Sequence, residues 1–246
     1  MLDRHTSSAR HLRVSTTALA WDGGTVFKIV CSFDAMIAET DVVEALLTEF
    51  ALPQWRDIER EWLEGRIDNS ERRSRQTALV RAQRHQLTRL IHSVVIDSTF
   101  PSFAAFCTAR NLEIVVVSGG FDILIRQVLT RHCVGHLSVI ANRLRQITAD
   151  RWQMGFPYQS QYCETDSGLC TCKAIHRGDK PVLFIGSGLS EICFARRADL
   201  VFAKGHLADY CRTRRLPHLE IHSFADALLI LEQLLAPELD DALQYH

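Results

Sequence analysis

No apolar run in this sequence approaches the length of a membrane span. Runs such as 114–117 and 182–185 fall far short of the ~20 residues a spanning helix needs, so no membrane is expected as a partner. Charge of one sign is not in excess either. Lys and Arg number 28 against 29 Asp and Glu, a formal net charge of −1, and no global field draws the chain to nucleic acid or an anionic surface. Glycine and proline are few, 12 and 6 in 246 residues, while 47% of residues are hydrophobic. That usage excludes wholesale disorder and supplies a sizeable core. The length accommodates one large domain, or a core with an inserted subdomain, and excludes a long tandem array. The stretch from Met1 to Gly24 carries His5, Arg10, His11 and Arg13 but lacks the apolar core of roughly 7–15 residues that a secretory signal requires. It reads as a mobile N-terminal extension over residues 1–24.

Eight cysteines are present, at 31, 107, 133, 163, 170, 172, 193 and 211. Cys31, Cys107 and Cys193 sit inside apolar-periodic segments, where a free thiol behaves as a small hydrophobe. A reducing cytosol fits this pattern better than a disulfide framework, so a cytoplasmic location is expected. Cys163, Cys170, Cys172 and His176 lack the paired C-x₂-C knuckles of a zinc site, and no metal is assigned to them.

Short apolar runs at 26–31, 114–117, 182–185 and 200–203 each stop at a small or polar turn: Ser32, Ser118-Gly119-Gly120, Gly186-Ser187-Gly188 and Lys204-Gly205. Between them lie helical periodicities at 121–133, 190–197 and 224–235. Strands alternating with helices predict an α/β fold with a mainly parallel sheet, whose site lies at the carboxyl ends of the strands. Residues 38–98 break the alternation with helices alone, at 42–50, 55–64, after Asn69-Ser70, and at 86–95. This predicts an α/β core made of 25–37 and 99–246, with a helical insertion at 38–98. Arg72, Arg73, Arg75, Arg81 and Arg84 fall in that insertion without interleaved aromatics, which reads as a solvated helix face rather than a nucleic-acid interface.

The strand ends then become recognisable. Val30-Cys-Ser-Phe-Asp-Ala-Met36 resembles the strand-DxDGT motif of the haloacid dehalogenase superfamily, and Val117-Ser-Gly-Gly120 resembles its second motif. Lys173 in Cys170-Thr-Cys-Lys-Ala174 resembles the third, and Gly186-Ser-Gly-Leu-Ser-Glu191 stands where the fourth reads GDGxSD. The resemblance runs over residues 26–235 and is strongest to the phosphoserine-phosphatase-like branch, above all its methionine-salvage phosphatases. It is reinforced by Ala38-Glu-Thr-Asp-Val-Val43, Pro53-Gln-Trp55, Ala141-Asn-Arg-Leu144 and Ala198-Asp-Leu-Val-Phe-Ala-Lys204. It implies a Rossmann-like core with a helical type 1 cap.

The departures decide what the resemblance implies for chemistry. In the family the first motif's first aspartate attacks phosphorus and its second serves as general acid and base. Those positions hold Ser32 and Asp34 here. The fourth motif's Mg²⁺-binding aspartate is replaced by Ser187, and its second acidic position is Glu191. A serine hydroxyl is a poor substitute for a carboxylate on Mg²⁺, so loss of Mg²⁺ binding, and with it the aspartyl-phosphate route, is expected; no cofactor is assigned. Ser118, the amides of Gly119 and Gly120, and Lys173 remain as groups for a small anion. Glu39 and Asp41 lie just beyond the first motif, where substrate groups would enter. The expected catalytic set is Asp34, Lys173 and Ser32. Two readings stay open: an enzyme diverted to acid/base chemistry on a small anionic metabolite, or a catalytically silent relative that binds a ligand or partner. Oligomeric state is not legible.

Overall fold

Strands buried on both faces need unbroken apolar runs, and this chain supplies them. In β1 (Lys28–Ser32) every residue after Lys28 is buried, and β5 (Val182–Gly186) is buried throughout. The computed structural model describes residues 27–165, 168–176 and 178–236. The expectation for residues 1–24 lies outside the described residues.

The other strands are β2 (Glu113–Phe121), β3 (Ser138–Gln146), β4 (Trp152–Gly155), β6 (Leu200–Ala203) and β7 (Leu219–Glu220). They form one seven-stranded sheet in the order β4-β3-β2-β1-β5-β6-β7, with β1 at its centre. All neighbours are parallel except β3 and β4, which pair antiparallel at one edge. The α/β reading therefore holds, with three strands beyond the four expected.

Helices cover both faces. On one side Phe27, Ile29 and Cys31 pack with α5 (Phe100–Ala109), α6 (Asp122–Arg131) and α10 (Phe224–Leu234). There the Phe224 ring lies 4.7 Å from Phe100 and 5.2 Å from Phe103. On the other side Val30, Val115, Val117 and Phe184 pack with α8 (Ile192–Ala195) and α9 (Gly205–Arg214). A short helix α7 (Thr171–Ala174) precedes β5.

Between β1 and α5 run four helices: α1 (Val42–Phe50), α2 (Trp55–Leu63), α3 (Asn69–Ala78) and α4 (Arg84–Ser93). Asp41 fixes the start of α1, its carboxylate accepting from the amides of Val43 at 2.8 Å and Glu44 at 3.0 Å, as a helix N-cap does. The helical segment is tied to the edge hairpin of the sheet. Trp152 Nε1 donates to Ala82 O at 2.7 Å, and the Ala82 amide donates to Asp150 O at 3.0 Å. Arg84 Nε donates to Gln146 Oε1 at 2.6 Å, and the Thr77 hydroxyl meets the Met154 sulfur at 3.8 Å.

Candidate active site

β1 ends at Ser32 and the chain turns sharply through residues 33–37. Asp34 is extended there, and Ala35 takes a left-handed φ of 54°. This turn projects residues 32–35 over the carboxyl ends of β1, β2 and β5, beneath the helical segment. A cavity of about 750 Å³ opens there, walled by Ser32, Asp34, Ser118, Ser187 and Glu191 from the strand ends and by Arg72 and Arg73 from α3. Gly119, Gly120, Glu39 and Asp41 also border it.

Asp34 is held through both of its carboxylate oxygens. Its Oδ2 accepts from the Ser118 hydroxyl at 2.6 Å and its Oδ1 from the Val42 amide at 3.2 Å. Ser118 Oγ in turn accepts from the Gly120 amide at 2.8 Å. The carboxyl is pushed up from 3.8 to about 7, first by burial and then by the neighbouring Asp41 charge. The bonds from Ser118 and Val42 and the Arg73 charge pull it back, but burial wins. Ser187 Oγ donates to the Asp34 carbonyl at 3.3 Å.

Space around this turn is tight. A Cβ on Gly120 would sit 3.0 Å from Ser118 Oγ and 3.2 Å from a Val43 methyl, and one on Gly186 would sit 2.6 Å from the Phe184 ring. Glycine at both positions lets the three strand ends converge.

Ser32 is 4% exposed, and its hydroxyl makes no hydrogen bond of ordinary geometry. It lies near Glu191, whose acidity its hydroxyl slightly strengthens; burial nevertheless raises the Glu191 pKa overall. Mg²⁺ wants anionic oxygens in octahedral array. The groups at these positions are two serine hydroxyls, one of them committed to the Asp34 carbonyl, and the single Glu191 carboxyl. This donor set does not fit Mg²⁺.

Lys173 is not brought to the cavity. It sits on α7, and its ammonium donates to Gln159 O at 2.8 Å in a separate pocket lined by cysteines. Of the expected anion cluster, Ser118, Gly119 and Gly120 border the cavity, with the Gly120 amide already bonded to Ser118 Oγ, while Lys173 is elsewhere. The cations that do border the cavity are Arg72, Arg73 and Lys204, with the His206 side chain beside them.

Two of the arginines read as a solvated face are thus corrected. Arg72 is 6% exposed, stacks over the Trp62 ring at 3.6 Å and pairs with Glu59 at 2.8 Å, and burial lowers its pKa to about 10. Arg73 pairs with Asp41 at 3.7 Å. Trp62, seven residues after Trp55, was the available signal, since an aromatic face offers a surface on which a buried guanidinium can stack.

No family model matches the chain. It is 26% identical over 212 residues to the 2-hydroxy-3-keto-5-methylthiopentenyl-1-phosphate phosphatase of Brevibacillus brevis, covering 84% of this chain and 95% of that protein. The protein of the same name from an Exiguobacterium species is 24% identical over 204 residues, covering 80% and 94%. Among solved structures, a phospho-aspartyl intermediate analogue of phosphoserine phosphatase superposes with a TM-score of 0.60 at 16% identity, covering 84% of this chain and 99% of that one. A hydrolase from Salmonella enterica superposes with a TM-score of 0.64 at 15% identity, covering 88% and 74%.

Proposed function

We propose, for a chain that carries the haloacid dehalogenase fold in its phosphoserine-phosphatase-like form, that the site has left phosphoryl transfer and performs acid/base chemistry on a small anionic metabolite. The observation that carries this reading is Asp34. It is buried against the cavity, held by Ser118 and Val42, and titrates at about 7. A group with that pKa exchanges a proton readily in either direction at neutral pH. The helix-borne Arg72 and Arg73 and the strand-end Lys204 supply positive charge around the same space, which supports an anionic ligand.

The phosphatase route lacks its parts. Ser32 stands where an aspartate would attack phosphorus, and the donors around Ser187 do not suit the metal that would neutralise the transferring group. Phosphoryl transfer depends on that neutralisation. A second reading is favoured by the internal bonding of Asp34: both its oxygens are already engaged, one by a hydroxyl and one by an amide, as in a silent binder whose carboxyl only shapes the pocket.

The test begins with a panel of phosphate esters with and without Mg²⁺. Negligible metal-dependent turnover is expected; a rate of about 1 s⁻¹ or faster, the low end of ordinary enzymes, overturns the proposal. A metabolite found by thermal shift is then assayed with the parent and Asp34→Asn proteins. A drop in turnover of about 10²–10⁴ with binding retained supports the diverted enzyme. A ligand that is bound and never converted supports the silent binder.

A further inference from the structure

The same loop that walls the cavity has a second pocket on its other side. This pocket, of about 210 Å³, is lined by Cys163, Cys170, Cys172 and Cys193 together with Lys173 and Arg197. Sequence spacing grouped the first three with His176; the fold substitutes Cys193, delivered by α8 from 21 residues further on. Cys172 Sγ and Cys193 Sγ are in contact at 3.7 Å. All eight thiols are free.

Four thiols gathered in one place admit two kinds of chemistry. One is metal ligation; the other is reaction between paired sulfurs, and the Cys172–Cys193 contact places two sulfurs for the second. From this geometry we propose that Cys172 and Cys193 are a reversible modification site, closing to a disulfide that ties α7 to α8 and stiffens the wall of the active-site cavity.

Contact at 3.7 Å leaves the sulfurs to close by about 1.7 Å to reach bonding distance. Both cysteines sit on helices of only four residues, so a small shift of one is enough. Access differs between them. Cys172 is half-buried and Cys193 is buried, so a small-molecule disulfide such as oxidised glutathione meets Cys172 first. The Cys172 thiolate attacks one sulfur of that disulfide, forming a mixed disulfide and expelling one thiolate. Cys193 then gives up its proton and attacks Cys172 Sγ, expelling the second. Two protein thiols are oxidised to one disulfide, and one external disulfide is reduced to two thiols. Burial pushes the Cys193 thiol up to about 12, so this second step is slow at neutral pH and quickens as pH rises.

The consequence for the cavity follows from connectivity. Glu191 and Ser190 border the large cavity and stand two and three positions before Cys193. The 163–165 segment is fastened to the same loop, since Thr165 Oγ1 donates to Ser190 O at 2.8 Å and Arg196 pairs with Glu164 at 2.7 Å. A covalent bond at Cys193 therefore anchors the loop that carries Ser187 and Glu191.

The experiment treats the full chain with oxidised glutathione and maps the linked peptides by mass spectrometry, in parent and variants. A Cys172–Cys193 bridge is expected in the parent and in Cys163→Ser and Cys170→Ser, and is absent from Cys172→Ser and Cys193→Ser. Exposed Cys133 serves as the unbridged control. Amide exchange across residues 187–194 is expected to slow about threefold or more in the oxidised protein and to recover on reduction, the signature of a locally stiffened segment. A parent that forms no such bridge, a bridge that persists in Cys172→Ser, exchange unchanged by oxidation, or a purified protein holding one equivalent of thiol-bound metal would each overturn the proposal.

Discussion

Replacing Asp34 by Asn removes a titration that the fold opposes, and its effect on stability can be worked out. The folded carboxyl titrates at about 7 against an ordinary value of 3.8. A raised carboxyl means that the native state binds more protons than the unfolded chain between those two values. Its contribution is therefore most favourable below the unfolded pKa and is lost as pH rises through the folded one. At pH 5 the unfolded chain is already mostly ionised, and the penalty is about 1.5 kcal/mol; by pH 8 it approaches ~4 kcal/mol. Asparagine cannot ionise; with its oxygen towards the Val42 amide it keeps that bond, while its amide donates to Ser118 Oγ in the reverse sense of the native bond, a pH-independent change that offsets the stability curve without altering its slope. The stability of Asp34→Asn relative to the parent should thus rise by about 2–3 kcal/mol between pH 5 and pH 8. Urea unfolding at a series of pH values reads this directly, and other titrating groups, Glu191 included, largely cancel in the difference. Parallel curves for the two proteins across that range would refute the burial argument for Asp34, and with it the case for a neutral-pH proton shuttle.

Two further substitutions probe the same turn. Ala35 holds a φ of 54°, which disfavours any residue with a Cβ, so Ala35→Gly should stabilise by about 1 kcal/mol as measured by chemical denaturation; a loss of stability would mean that the turn relaxes in solution. Restoring carboxylates with Ser32→Asp and Ser187→Asp together should create Mg²⁺ binding detectable by calorimetry where the parent has none. Heat absent from both proteins would show that the loops, and not just the side chains, have diverged.

How much of this was legible depends on what each residue answers to. The bounds of α1 were readable because Asp41 is both the polar stop and the cap, and β1 and β5 announced themselves by burial on both faces. The β3–β4 hairpin was not, because an edge pair mixes apolar and polar residues and carries no continuous run. Lys173 was misplaced because its neighbourhood is set by Gln159 and the thiols around it, contacts that no motif spacing encodes. Arg72 was read as surface because its own helix has a strongly polar composition; its stack on Trp62 and its ion pair with Glu59, both across a helix boundary, hold it out of water. Cys193 joined the thiol pocket through the pairing of β5 beside β1, a long-range placement to which its local pattern of a buried small residue gives no clue.

The fastening of the helical segment to the sheet edge governs traffic. A lid that swings on its two covering strands alone can rise by rotating at Ala38 and Ile96, which bridge at its base. Here Trp152 lies buried with its indole on Ala82 O, and Arg84 reaches across to Gln146, so lifting the lid either drags the β3–β4 hairpin along or exposes an indole and strands its donor. Full opening therefore carries the cost of that exposed indole and its unpaired donor, and bulky solutes that need it are expected to enter and leave the cavity more slowly than compact ones.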